Sequence, residues 1–123
     1  MERGEIIINE NGVKIIPAGG NIWLSEWQIA KLFEVFVVKV SSNIKSILKS
    51  EVLRKNEVSY CYHYANGGSV DLYNLEMIIA LAFRIHSPNA DLFRKWTMEQ
   101  IVRKKTKIDP IIILNSGMSV WMN

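Results

Sequence analysis

The chain has 123 residues, 49% of them hydrophobic and 22% charged. That length suits one domain with its own core, and that composition excludes wholesale disorder. The single cysteine, Cys61, excludes an intrachain disulfide, and the longest apolar run, residues 77–83, is too short to span a bilayer. The charged start, residues 1–5, does not resemble a signal peptide, and a cytoplasmic location is expected. Charge is uneven along the chain: residues 1–38 carry three cations and five anions, and residues 39–123 carry twelve cations and seven anions. The basic part is compatible with a polyanionic partner and equally with an ordinary solvated surface.

In chain order, Ile6–Ile8 predicts a first strand, Asn11-Gly12 a hairpin turn, and Val13–Ile16 the returning strand. Pro17 to Asn21 breaks the pattern; Gly19-Gly20 lacks the Lys and Ser/Thr of a phosphate loop and reads as a turn. Ile22–Leu24 predicts a third strand. Ser25 and Gln28 have the spacing of a capping box, which starts a short helix over 26–33.

A second helix is expected over 37–49. At 100° per residue, Val37, Val40, Ile44, Ile47 and Leu48 fall on one side, and Lys39, Ser42, Asn43, Ser46 and Ser50 on the other, flanked by Lys45 and Lys49. A solvated helix face usually carries long Glu and Lys side chains. A face of short Ser and Asn groups edged with Lys suits close approach to a duplex, with polar groups at base edges and amines at phosphates. A surface helix of modest propensity is the plain alternative.

Residues 58–64 alternate. Val58, Tyr60, Tyr62 and Tyr64 share one face, and Ser59, Cys61 and His63 the other. After a turn at Ala65–Gly68, Ser69–Tyr73 returns as a strand, so a hairpin follows the helix pair as a wing would. The tyrosines are expected to cover the sheet. Asn74 caps a helix expected over 75–85, apolar nearly all round and therefore buried. His86 to Asn89 ends it. A last helix is expected over 90–105, with Leu92, Phe93, Trp96, Gln100 and Ile101 on one broad face and Arg103-Lys104-Lys105 at its end. Those cations suit the helix dipole and would also meet phosphate.

The predicted fold class is therefore α+β, a winged helix-turn-helix-like domain over 1–105 with a small antiparallel sheet and about four helices. An apolar C-terminal tail, 106–123, follows. Candidate DNA contacts are Lys31, Lys39, Ser41, Ser42, Asn43, Lys45, Ser46 and Lys49, then Arg54 and Lys55, and Asn66 in the wing. Val38, with Ile111, Ile112, Ile113 and Trp121 of the tail, forms a candidate protein-interaction set. Double-stranded DNA and a second copy of the chain are the expected partners. No catalytic or metal site, cofactor, small-molecule substrate or membrane is expected. His63 and His86 are isolated, and Cys61 and His63 share a strand face with no orienting carboxylate nearby in sequence.

Several words of the sequence carry a resemblance. They are Gly4-Glu5-Ile6, Ile22-Trp23-Leu24-Ser25, Gln28 to Phe33, Ile44-Lys45-Ser46-Ile47, Asp71 to Leu75, Arg84-Ile85-His86-Ser87 and Phe93-Arg94-Lys95-Trp96. In this order, over residues 2–105, the chain resembles the RhuM-type virulence-associated proteins of bacteria. The resemblance implies a DNA-binding, helix-turn-helix-like protein linked to mobile or virulence-associated elements, with only the amino-terminal module represented. Three departures stand out. Glu34 occupies a turn position where the family tends to have Gly, Phe36-Val37-Val38 replaces a polar Asp-Arg-Ser stretch, and Ser42-Asn43 replaces an Arg-His pair.

Overall fold

The computed structural model describes residues 3–106, with side chains from 3 to 103. Strands β1 (Glu5–Asn9) and β2 (Gly12–Ile16) form an antiparallel hairpin in which Asn9 faces Gly12. The turn is thus Glu10-Asn11, not Asn11-Gly12 as the sequence suggested. Asn9 Oδ1 accepts the Asn11 amide at 2.8 Å, so Asn11 needs no left-handed backbone. Gly12, at φ 121°, releases the chain into β2.

The expected third strand is displaced. Ile22 is buried and the Trp23 amide donates to the Arg3 carbonyl at 2.8 Å, so ladder pairing begins only at β3 (Leu24–Ser25). β3 pairs with β5 (Ser69–Tyr73), which pairs with β4 (Ser59–His63), giving the antiparallel order β3-β5-β4. There are therefore two small sheets where one was expected.

Helix α1 (Glu26–Phe33) starts at the predicted capping box. Ser25 Oγ accepts the Gln28 amide at 3.2 Å, and Gln28 Oε1 accepts the Ser25 amide at 2.9 Å. It ends in a Schellman closure, with the Val35 amide on the Ala30 carbonyl at 3.0 Å and the Glu34 amide on the Lys31 carbonyl at 3.3 Å. Glu34 closes this turn in the left-handed conformation at φ 56°. Three residues later α2 (Val37–Lys49) begins, as predicted. A one-turn α3 (Lys55–Val58), which the sequence did not suggest, follows, with the Glu57 and Val58 amides on the Arg54 carbonyl.

Helix α4 (Leu75–Ala82) is capped by Asn74, whose Oδ1 accepts the Met77 amide at 3.2 Å. It ends at Ala82, short of Ile85, and Arg94 satisfies the carbonyl of Ala82 at its end and that of Ile85 just beyond it. Helix α5 (Pro88–Thr106) begins two residues earlier than expected. Ser87 Oγ accepts the Ala90 amide at 3.1 Å, and Pro88 fills the first helical position, where its missing N–H costs nothing. The Ser-Pro pair that looked like a stop is the start of the next helix.

The core joins all these pieces. Phe33, Val40, Ile44, Ile47, Val58, Leu72, Met77, Ile78, Leu81, Ile85 and Phe93 are buried, with Phe33 and Phe93 meeting edge to face at 5.8 Å between ring centres. The β1–β2 hairpin packs on α1 and α5. On α5 the buried stripe is Ala90, Phe93 and Thr97. Of the expected face only Phe93 is fully inside; Trp96 and Gln100 are half-buried, and Leu92 and Ile101 are exposed. The helix carries more apolar side chains than the core can take, so hydrophobicity alone misplaced its inner face.

A non-glycine residue in the left-handed region costs about 1–2 kcal/mol, and glycine returns about 0.4–1 kcal/mol of that through the unfolded chain. Glu34→Gly should therefore stabilise the fold by about 0.5–1 kcal/mol in denaturant unfolding, with the midpoint rising and its slope unchanged.

Candidate nucleic-acid interface

Which side of α2 faces outward is set by three residues. Val40, Ile44 and Ile47 are buried and Leu48 is half-buried, but Val37, expected on the same side, is exposed at the first turn, where no neighbouring element covers it. The opposite side presents Val38, Ser42, Lys45, Ser46 and Lys49, all exposed. The serine and lysine side of α2 is open to solvent, as the periodicity predicted.

The polar groups on this side are not equivalent. Ser42 Oγ donates to the Lys39 carbonyl at 3.2 Å, and half-buried Asn43 Nδ2 donates to the same carbonyl at 2.8 Å. Ser42 has spent its one donor on its own helix and offers outward an acceptor, whereas Asn43 keeps one N–H beside its carbonyl oxygen. Ser46 Oγ accepts from the Arg84 guanidinium at 3.1 Å, a bond from just beyond α4 across 38 positions of sequence. Ser46 keeps its proton to donate, and Arg84 adds a cation beside it. Ser41 behaves differently from its expected role. It turns inward and donates to the Glu26 carboxylate on α1, which removes it from the outer face.

Glu26 is a junction. One carboxylate oxygen takes the Ser41 hydroxyl of α2, and the other takes the Tyr73 hydroxyl of β5 at 3.5 Å. The bridge ties α1 to α2 and to the central strand of the sheet. Burial, the neighbouring charges of Glu26 and Asp71, and the hydrogen bond to Glu26 push the Tyr73 phenol up to about 12.

The remaining candidates scatter. Lys39 is exposed on the first turn of α2 beside Phe36. Lys31 belongs to a different face: its ammonium lies 5.6 Å from the Trp27 ring centre, and both residues line a cleft between β1 and α1. Arg54 and Lys55 stand past the end of α2, and Lys55 is 4.0 Å from Asp71. Asn66 is exposed in the β4–β5 turn, where its Oδ1 accepts the Gly68 amide at 2.9 Å. Tyr60 and Tyr62 of β4 and Tyr64 just past it line the sheet: the Tyr60 and Trp23 ring centres are 6.1 Å apart, those of Tyr62 and Tyr64 5.3 Å, and Arg3 sits over Tyr62. Phe36 keeps 84% of its surface exposed and Val38 69%. No side chain caps α2 at Phe36, the position where the resemblance led one to expect a polar stretch. Ile111, Ile112, Ile113 and Trp121 lie outside the described residues.

Sequence reasoning missed Arg84. Nothing local marks it, because its neighbour on α2 is set by how α4 packs. Among the described residues no group of three or more His, Cys, Asp or Glu side chains is placed to hold a metal ion, and no helix is long and apolar enough to cross a membrane. No model of a known protein family, no curated protein and no solved structure matches the chain.

The Tyr73 phenol gives a pH signature. Folded, it holds its proton to about 12; unfolded, it releases it near 10.0. The native state therefore binds more protons between those values, and the stability Tyr73 contributes below pH 10.0 is lost as pH rises toward 12. Tyr73→Phe should flatten the fall of stability over that window, measured by denaturant unfolding at stepped pH.

Proposed function

We propose that the chain is a double-stranded DNA-binding protein of winged helix-turn-helix type, with α2 as the helix that enters the major groove. The observation that carries this reading is the outer side of α2, where Ser42, Ser46, Lys45 and Lys49 stand exposed together with no acidic side chain among them. Three further features support it. A three-residue turn joins α1 to α2, which fits a helix-turn-helix unit. The β4–β5 hairpin follows the helix pair and pairs back through β5 onto β3, the strand that leads into α1, which is how a wing is built. The resemblance to RhuM-type proteins points to the same class, and through it to regulation within a mobile or virulence-associated element in the cytoplasm.

In this reading the lysines meet phosphates, and Ser42, Asn43 and Ser46 lie closest to base edges. α1 braces α2 through the Ser41–Glu26 bond, and the Asn66 turn reaches the neighbouring backbone. Binding to a mixed-sequence duplex, followed by fluorescence anisotropy at two salt concentrations, should weaken steeply with salt. The double change Lys45→Ala with Lys49→Ala should weaken it about tenfold or more and make the salt slope shallower by about two. Binding indifferent to salt and to both changes would overturn the reading.

A second reading, a dimerisation or protein-interaction module, is favoured by the exposed Phe36, Val37 and Val38 at the start of α2. Apolar side chains bare to water at a helix start suit a protein contact better than a phosphate. If a second copy covers them, sizing of the chain should give a dimer, and Phe36→Ser with Val38→Ser should convert it to a monomer without loss of helix content. A wild-type monomer at high concentration would count against this reading.

A further inference from the structure

Arg84 sits where a second line of phosphates would run, and this inference rests on the DNA reading above. About 100° of rotation per residue places Ser42 and Ser46 side by side on the outer surface of α2, with Lys45 on the flank that leads round to Ser41. That flank belongs to α1, because Ser41 bonds Glu26 there. Arg84 reaches Ser46 from the other flank. It leaves the end of α4, which packs against the buried side of α2, and donates to Ser46 Oγ. The serines are thus bracketed by Lys45 on the α1 side and by a guanidinium on the α4 side.

A major groove is also bracketed. Its floor of base edges lies between two phosphate backbones roughly 12 Å apart. On the α4 flank α2 itself offers only Lys39, seven positions before Ser46, so beside Ser46 that wall has no lysine of the helix to meet it. We propose that Arg84 is the phosphate contact for the wall opposite Lys45, so that α2 and the end of α4 together grip both strands. The chemistry fits. Arg84 is exposed, its side chain bonds a neutral hydroxyl, and the rest of its planar fork is open for a phosphate oxygen. The bond to Ser46 holds the side chain at the rim of the serine row, which lowers the entropy lost on contact. Arg94, ten positions on, is unsuited to this role. It is half-buried, with its guanidinium occupied by Asp91 and by the carbonyls of Ala82 and Ile85.

The test compares wild type, Arg84→Ala, Arg84→Lys and Lys45→Ala on unrelated duplex sequences at several salt concentrations. It then repeats the binding on duplexes in which single phosphates are replaced by neutral methylphosphonates. Arg84→Ala should bind about tenfold more weakly on every sequence, with a salt slope shallower by about one, while Arg84→Lys keeps the slope. Arg84 is exposed, so circular dichroism and melting should be unchanged in both variants. The neutralised phosphates to which Arg84→Ala has become insensitive should lie on the strand opposite those lost with Lys45→Ala. Wild-type affinity in Arg84→Ala beside a loss in Lys45→Ala overturns the assignment and leaves the DNA reading standing. So does a changed sequence preference at unchanged slope, which makes Arg84 a base contact. Absence of duplex binding by the wild-type chain defeats the DNA reading and this inference together.

Discussion

Burial of Val40, Ile44 and Ile47 fixes the rotation of α2 about its own axis, and the character of the outer surface follows from that. These three side chains recur at helical spacing and enter a core shared with α1, α4 and α5. Turning the helix by one residue would bring Ser41 and Lys45 inward and leave the core short of apolar volume. Rotation is therefore held by the hydrophobic effect, which is strong and non-directional. Finer placement comes from the Glu26 carboxylate, which is directional and holds a hydroxyl of α2 and the phenol of β5 at once. The two kinds of force act on different degrees of freedom. Packing chooses the side of α2 that faces out, and the carboxylate bridge sets where the helix stands over the sheet.

The sequence was most legible where a short local pattern decides the outcome. The Ser25–Gln28 capping box placed the start of α1, and the periodicity of 37–49 placed α2 and its outer side. Both depend on neighbours within one or two turns. Legibility failed where a distant group intervened. The carbonyls of Ala82 at the end of α4 and Ile85 just beyond it are satisfied by Arg94, and the start of β3 depends on Arg3 holding the Trp23 amide. On α5 the pattern offered one broad face, and contact with Phe33 singles out the stripe through Phe93 as the part of the helix that is buried.

The same distinction runs through the candidate interface. Lys45, Lys49, Ser42 and Ser46 were readable together because they share a helix. Ser41 belongs to the same helix but faces α1, and what claims it is a carboxylate fifteen positions earlier. Lys31 was grouped with these residues by charge, yet it lies over Trp27 beside β1. Arg84 enters the surface from the far side of the core. Charge type can be read from the chain; which charges become neighbours is decided by packing.

The two non-glycine residues with left-handed backbone among the described residues, Glu34 and Glu51, stand one before and one after α2. Each puts a carboxylate where the chain changes direction. The helix between them is 13 residues long, or roughly 20 Å at 1.5 Å per residue. On the DNA reading, an anion at either end repels the backbone that the middle attracts, so the helix engages a bounded stretch. At about 3.4 Å per step along a strand, that stretch is about six base pairs even for a helix lying fully along the groove. A longer operator would then have to be read by more than one molecule, and the spacing of its repeats would record how those molecules sit side by side.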